Sequence, residues 1–145
     1  MNKFNKQSGS VLLEALIAFL LFSMGVVGLM GLQTAALTDA AQSKYRMDAG
    51  FLTNQVISSM WADGVDQVPS YAVAAGVGGA KTAAWVAQVY NLLPGSNANP
   101  PSIVVTDISN ATGRRYEVTV TILWLPPKDT VPHRYVGSAY INRNG

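Results

Sequence analysis

Residues 10–32 read SVLLEALIAFLLFSMGVVGLMGL, and Glu14 is the only ionisable side chain among these 23 residues. As a helix rising 1.5 Å per residue the stretch spans about 35 Å, enough to cross a hydrocarbon core of roughly 30 Å. Lys3 and Lys6 precede it. The positive-inside rule therefore predicts a cytoplasmic amino terminus, with everything beyond Leu32 outside. A cleaved secretory signal has an apolar core of only about 7 to 15 residues and then a small-residue cleavage site. Ala15 to Leu32 is longer than that without a charge, and Thr34-Ala35-Ala36 is a poor cleavage site. A simple anchor explains length and orientation but not Glu14, whose carboxylate costs roughly 2.5 to 3.5 kcal/mol on insertion scales.

The position of Glu14 suggests its use. If the chain is cut between Gly9 and Ser10, Ser10 carries a free α-amine and Glu14 lies at i+4, one turn along the same face. The carboxylate is then near the positive end of the helix dipole, and it can pair with the new amine of its own chain or of a neighbour. Gly25, Gly28 and Gly31 recur every three residues, each costing about 1 kcal/mol against alanine in a helix. They read either as a close-packing or loosening stretch or as the ordinary glycine content of membrane helices.

Composition limits what else the chain can do. It has 145 residues, 49% apolar and 12% charged, the latter about half the usual share. Lys plus Arg number 10 against 8 Asp plus Glu; without Lys3 and Lys6 the balance is neutral, which argues against a nucleic-acid binder. There is no cysteine, so no disulfide, no thiolate nucleophile and no Cys-based zinc site.

After Gln33, Tyr45, Ala49, Leu52, Val56 and Met60 fall at steps of four, three, four and four, an amphipathic stripe that predicts continuation of the helix to about Ala62. Asp63-Gly64 and Pro69 end it. Residues 63–80 read as loop. Lys81 to Leu93 places Trp85, Val89 and Leu92 at helical spacing, closed by Pro94-Gly95. Ile103-Val104-Val105 opens a strand and residues 109–113 form a turn cluster. Tyr116, Val118, Val120, Ile122 and Trp124 alternate with Glu117, Thr119 and Thr121, a strand covering a core with one side. Pro126-Pro127 ends it, and Arg134 to Asn142 is the last strand, with Tyr135, Gly137, Ala139 and Ile141 on one face. Trp61, Trp85 and Trp124 each read as core.

Candidate chemistry is sparse. His133 is the only histidine and reads as a solvated loop residue, which rules out a two-histidine metal site. Gly76, Gly78 and Gly79 are not followed by Gly-Lys-Ser/Thr, so Lys81 is not a phosphate-loop lysine. Asp63 and Asp66 are two acids where calcium needs six to eight oxygens. Arg114-Arg115 reads as a solvated turn rather than a DNA contact. No catalytic residue and no cofactor is expected.

Gly9-Ser10-Val11-Leu12-Leu13-Glu14 before a long apolar helix resembles the class III signal of type IV pilins and type II secretion pseudopilins. Glu14-Ala15-Leu16-Ile17-Ala18 together with residues 23–33 is most similar to the PilV group of minor pilins. The resemblance is strongest over residues 9–62. It implies removal of a leader, residues 1–9, by prepilin peptidase between Gly9 and Ser10, N-methylation of Ser10, and use of Glu14 in docking. The residue after the glycine is commonly phenylalanine in this family and is Ser10 here.

An α+β fold is expected: 10–32 as membrane or fibre-core helix, 33–62 as its amphipathic continuation, and 63–145 as a head with an antiparallel sheet of about three to four strands. The implied partners are prepilin peptidase, other minor pilins, the major pilin and the inner-membrane assembly platform. The implied location is the bacterial inner membrane and then the pilus. A minor pseudopilin of a secretion system and a membrane-anchored adhesive module are the alternatives.

Overall fold

The computed structural model describes residues 8–127 and 129–142. Lys3 and Lys6 of the expected leader lie outside them. One helix, α1, covers Ser8–Asp63, as the hydropathy and the stripe predict. The chain divides into two compact units, residues 1–41 and 42–145.

Among the described residues of the first unit, α1 has no other element to pack on. Phe19, Phe22 and Leu32 are 72%, 70% and 71% exposed, and no residue of the apolar stretch is buried by the chain itself. This is one helix long and apolar enough to cross a membrane. Contiguous exposed apolar surface on this scale requires lipid or protein around it.

In the second unit the stripe works as predicted: Ala49, Leu52, Val56 and Met60 are buried, with Tyr45 packed against them. Trp61 is a correction, 41% exposed, because Met60 takes the core position and the next residue turns about 100° away.

Residues 63–80 are not a plain loop. A 3₁₀ turn, Val65–Tyr71, buries Val65, Val68 and Tyr71. It leads into a small hairpin of β1 (Val73–Ala74) and β2 (Val77–Gly78). Ala75 and Gly76, with φ of 48° and 77°, form the turn between them, the twist that two-residue hairpins favour. No Asn-Gly or Asp-Gly marks it in the sequence.

Helix α2, Ala80–Leu92, buries Trp85, Val86 and Val89. The chain turns extended at Leu93, so Leu93 and not Leu92 enters the core.

Strands β3 (Ser102–Asp107), β4 (Arg115–Trp124) and β5 (His133–Asn142) follow. The sheet is antiparallel with five strands in the order β2-β1-β3-β4-β5, more than the three to four expected, the excess being the small hairpin. On β4 every second side chain from Tyr116 to Trp124 is buried. Each contributes about 1.5 to 3 kcal/mol relative to exposure. The fold is α+β, with the second half of α1 and the sheet sharing one core.

Candidate functional site

In the first unit Glu14 and Ser10 lie one turn apart on α1, both exposed. Ser23 Oγ donates to the Phe19 carbonyl at 2.7 Å; past the apolar stretch, Thr34 and Thr38 donate to Met30 and Thr34 carbonyls at 3.0 Å. These hydroxyls bond to the helix itself and tolerate an apolar surrounding. Among the described residues of Ser10–Leu32, Glu14 is thus the one side chain carrying a charge that the helix does not satisfy. Gly25, Gly28 and Gly31 sit within an unbroken helix, and a Cβ added at any of them meets no atom within 4 Å. Ser10, Glu14 and the three glycines accordingly share one exposed helix.

The second unit carries three polar clusters. In the first, Asp63 Oδ2 accepts from the Tyr71 hydroxyl at 2.8 Å and from Lys81 Nζ. The Lys81 hydrogen bond, followed by that of Tyr71, holds the Asp63 carboxyl below its ordinary range. Burial first, and then the Asp63 carboxylate, pushes the Tyr71 hydroxyl up to about 12. This joins the end of α1, the 3₁₀ turn and the start of α2.

In the second, Arg114 Nη1 pairs with Asp66 Oδ1 at 2.7 Å beside a cleft of about 460 Å³ lined by Asn110, Thr112, Arg115 and Asn142. Arg114 is exposed on its turn as expected, but it bridges to the 3₁₀ turn. Asp63 and Asp66 are each engaged by a basic side chain, and among the described residues no group of three metal-ligating side chains occurs.

The third corrects the loop reading of His133. It begins β5, Nε2 lies 2.7 Å from Asp129 Oδ2, and its ring stacks on Trp124 with centroids 5.7 Å apart. Sequence reasoning missed these partnerships because they join residues 4 to 48 positions apart through loops whose path no periodicity records. The His133–Asp129 spacing of four was the one legible hint.

No protein-family model, no curated protein and no solved structure matches the chain.

Proposed function

We propose that the chain is a minor pilin of the PilV kind. In this reading prepilin peptidase removes residues 1–9 at the cytoplasmic face of the bacterial inner membrane, the new amino terminus at Ser10 is methylated, and residues 10–32 hold the chain in the bilayer. The protein then enters a pilus at or near its tip with other minor pilins and helps to start assembly. Its role is structural, not enzymatic.

The observation that carries this reading is a single carboxylate, Glu14, five residues beyond Gly9 in a helix that otherwise satisfies its own polar groups. A carboxylate surrounded by hydrocarbon needs a counter-charge. A free α-amine at Ser10, on this chain or on a neighbouring subunit, supplies one. The apolar surface of residues 10–32, none of it buried by the chain itself, supports it further, since such a surface passes from lipid to a bundle of like helices without change of chemistry.

The test is intact mass with amino-terminal sequencing of the protein from cells with and without prepilin peptidase. A product beginning at Ser10 only when the peptidase is present supports the reading. A chain still beginning at Met1, or one beginning near Leu37, overturns it in favour of an anchored or exported module. Recovery of the processed chain in sheared fibres, rather than with a secretion apparatus, separates a pilin from a pseudopilin.

A further inference from the structure

Two hollows meet at one end of the sheet and share Arg115 and Asn142. The larger is the cleft of about 460 Å³ beside Asp66 and Arg114. The smaller, about 330 Å³, is lined by Ile108, Arg115, Tyr140 and Asn142. Both volumes lie in the range of small-molecule sites, roughly 300 to 1,000 Å³. Strand register assembles the smaller one. Arg115 and Asn142 are partners across β4 and β5, and Glu117 and Tyr140 are the partners two residues along on the same face. Ile108 N–H donates to the Arg115 carbonyl at 2.9 Å, so Ile108 flanks Arg115 on the β3 side. This face is turned away from the core, since Arg115 alternates with buried Tyr116 and Tyr140 with buried Ile141.

The walls are held in place by the chain itself. In the turn between β3 and β4, Asn110 and Gly113 exchange backbone hydrogen bonds at 3.2 and 3.1 Å, and Asn110 Oδ1 accepts from the Thr112 N–H at 3.0 Å. The Ser109 hydroxyl accepts from the Arg115 N–H at 3.0 Å. Tyr140 donates its hydroxyl to Glu117 Oε1 at 3.1 Å, which orients a ring that is still 63% exposed. Such a preformed site loses little to ordering when a ligand arrives.

Charge narrows the ligand. Arg114 is paired with Asp66. Arg115 and Glu117, two residues apart on one face of β4, form no ion pair among the described residues. A group that only donates and a group that only accepts therefore stand side by side, and the Asn142 amide does both. A phosphate or carboxylate would gain Arg115 and be repelled by Glu117; an ammonium would gain Glu117 and be repelled by Arg115. A neutral polyhydroxyl ligand uses both, because each hydroxyl donates one hydrogen bond and accepts others. The exposed Tyr140 ring adds a flat apolar surface beside these polar groups, which suits the C–H face of a pyranose.

We propose that this end of the sheet binds a neutral carbohydrate. One pyranose lies with its C–H face on the Tyr140 ring and its hydroxyls towards Arg115, Asn142 and Glu117, and the next sugar of the same glycan enters the larger cleft past Arg115. The inference does not depend on the assembly reading above, since it uses only residues 65–142.

The experiment uses the full chain, isotope-labelled, in micelles of a zwitterionic detergent, because a sugar-headed detergent would compete. The probes are maltotetraose, the β-linked tetramer of N-acetylglucosamine and a β-linked galactose tetramer, each titrated while the backbone amide resonances are followed. At least one should give saturable shifts at Arg115, Tyr140 and Asn142 with a Kd of about 1 mM, while the amides of α2 stay in place. Tyr140→Thr keeps a good strand former at an exposed position and should weaken binding about ten-fold with the melting temperature unchanged. Arg115→Gln should also weaken it about ten-fold. Tyr140→Phe keeps the ring and loses only the hydroxyl bond to Glu117, so it should bind within about three-fold of the natural chain.

Absence of shifts with all three glycans overturns the proposal. Shifts confined to other parts of the chain, or undiminished affinity in Tyr140→Thr, overturn the placement of the site. Tighter binding of inorganic phosphate than of any glycan, with the same amides moving, overturns the neutral class of ligand. None of these results bears on cleavage at Gly9.

Discussion

The Tyr71 hydroxyl donates to Oδ2 of Asp63 at 2.8 Å, so the last residue of α1 is tied to the end of the 3₁₀ turn that follows it. Lys81 closes the same carboxylate from α2, and its ammonium lies 5.5 Å from the centre of the Tyr71 ring.

This arrangement predicts loss of stability at both ends of the pH scale. Tyr71 keeps its proton in the folded state up to about 12, while the unfolded chain gives it up near 10. The unfolded state therefore binds fewer protons between those values, and stability is full below pH 10 and falls as pH rises towards 12. Asp63 acts in the opposite sense: its pKa is lowered on folding, so its contribution is present at neutral pH and lost as pH falls through the folded value. Thermal melts across pH should show both declines. Tyr71→Phe should flatten the alkaline one and reduce the acid one.

Thr53 is buried at 2% exposure, and its hydroxyl has no hydrogen-bond partner. An unpaired buried hydroxyl costs about 1 to 3 kcal/mol. Thr53→Val keeps the branched shape that packs on Gly137 and removes that hydroxyl. It should stabilise the head by about 1 kcal/mol, a rise of about 4 to 8 °C in melting temperature for a domain of this size. A fall in melting temperature would mean that the hydroxyl is satisfied in solution.

Gly95 follows α2 with φ of 67°, and a Cβ there would stand 2.8 Å from Leu125 Cβ and 3.0 Å from the Leu125 carbonyl oxygen. Leu125 cannot retreat easily, because its N–H donates to the Pro94 carbonyl at 2.8 Å. The left-handed backbone alone costs a residue with a side chain about 1 to 2 kcal/mol. Gly95→Ala should therefore destabilise by at least that amount in urea titration, with the denaturant slope unchanged.

Glu14→Gln removes the charge and keeps the size of the side chain. Membrane insertion should persist or improve, since the charge is what opposes it. Recovery of the chain in sheared fibres should fall at least ten-fold, the loss of one charge pair of about 1.4 kcal/mol or more. Undiminished recovery would show that Glu14 plays no part in assembly.

Ile122 is fully buried on the core face of β4, between Val120 and Trp124. Ile122→Ala should cost about 2 to 5 kcal/mol, the range for such truncations in a core. Melting of the purified chain checks it, and a cost under about 1 kcal/mol would show that the sheet face is loosely packed around Ile122.

Local pattern reveals much of this molecule. An uncharged run longer than a signal core reads as one helix whatever surrounds it, because its backbone can be satisfied only internally in lipid. Tyr45 to Met60 at steps of three and four, and Tyr116 to Trp124 at steps of two, reveal their buried faces for a similarly local reason: side-chain direction repeats with the backbone. The Gly9, Ser10 and Glu14 spacing is legible in the same way, as one turn of helix.

What escapes such a reading is set by contacts between distant residues. The Ala75-Gly76 hairpin has alanine where asparagine or aspartate usually precedes the glycine, and it is tied to the rest of the head by the Gly76 N–H donating to the Pro101 carbonyl at 2.9 Å. Trp61 and Leu92 have the composition of core residues and lie outside it, since Met60 and Leu93 fill the available space first. The ties of Asp63 to Tyr71 and Lys81, and of Asp66 to Arg114, cross up to 48 positions. So the sequence by itself determined the helix, its membrane-length apolar part and the faces of the strands, all properties of neighbouring residues. Only the tertiary structure decided the strand order, the hollow between Arg115 and Tyr140 and the partners of each charge, because those depend on which distant surfaces exclude water from one another.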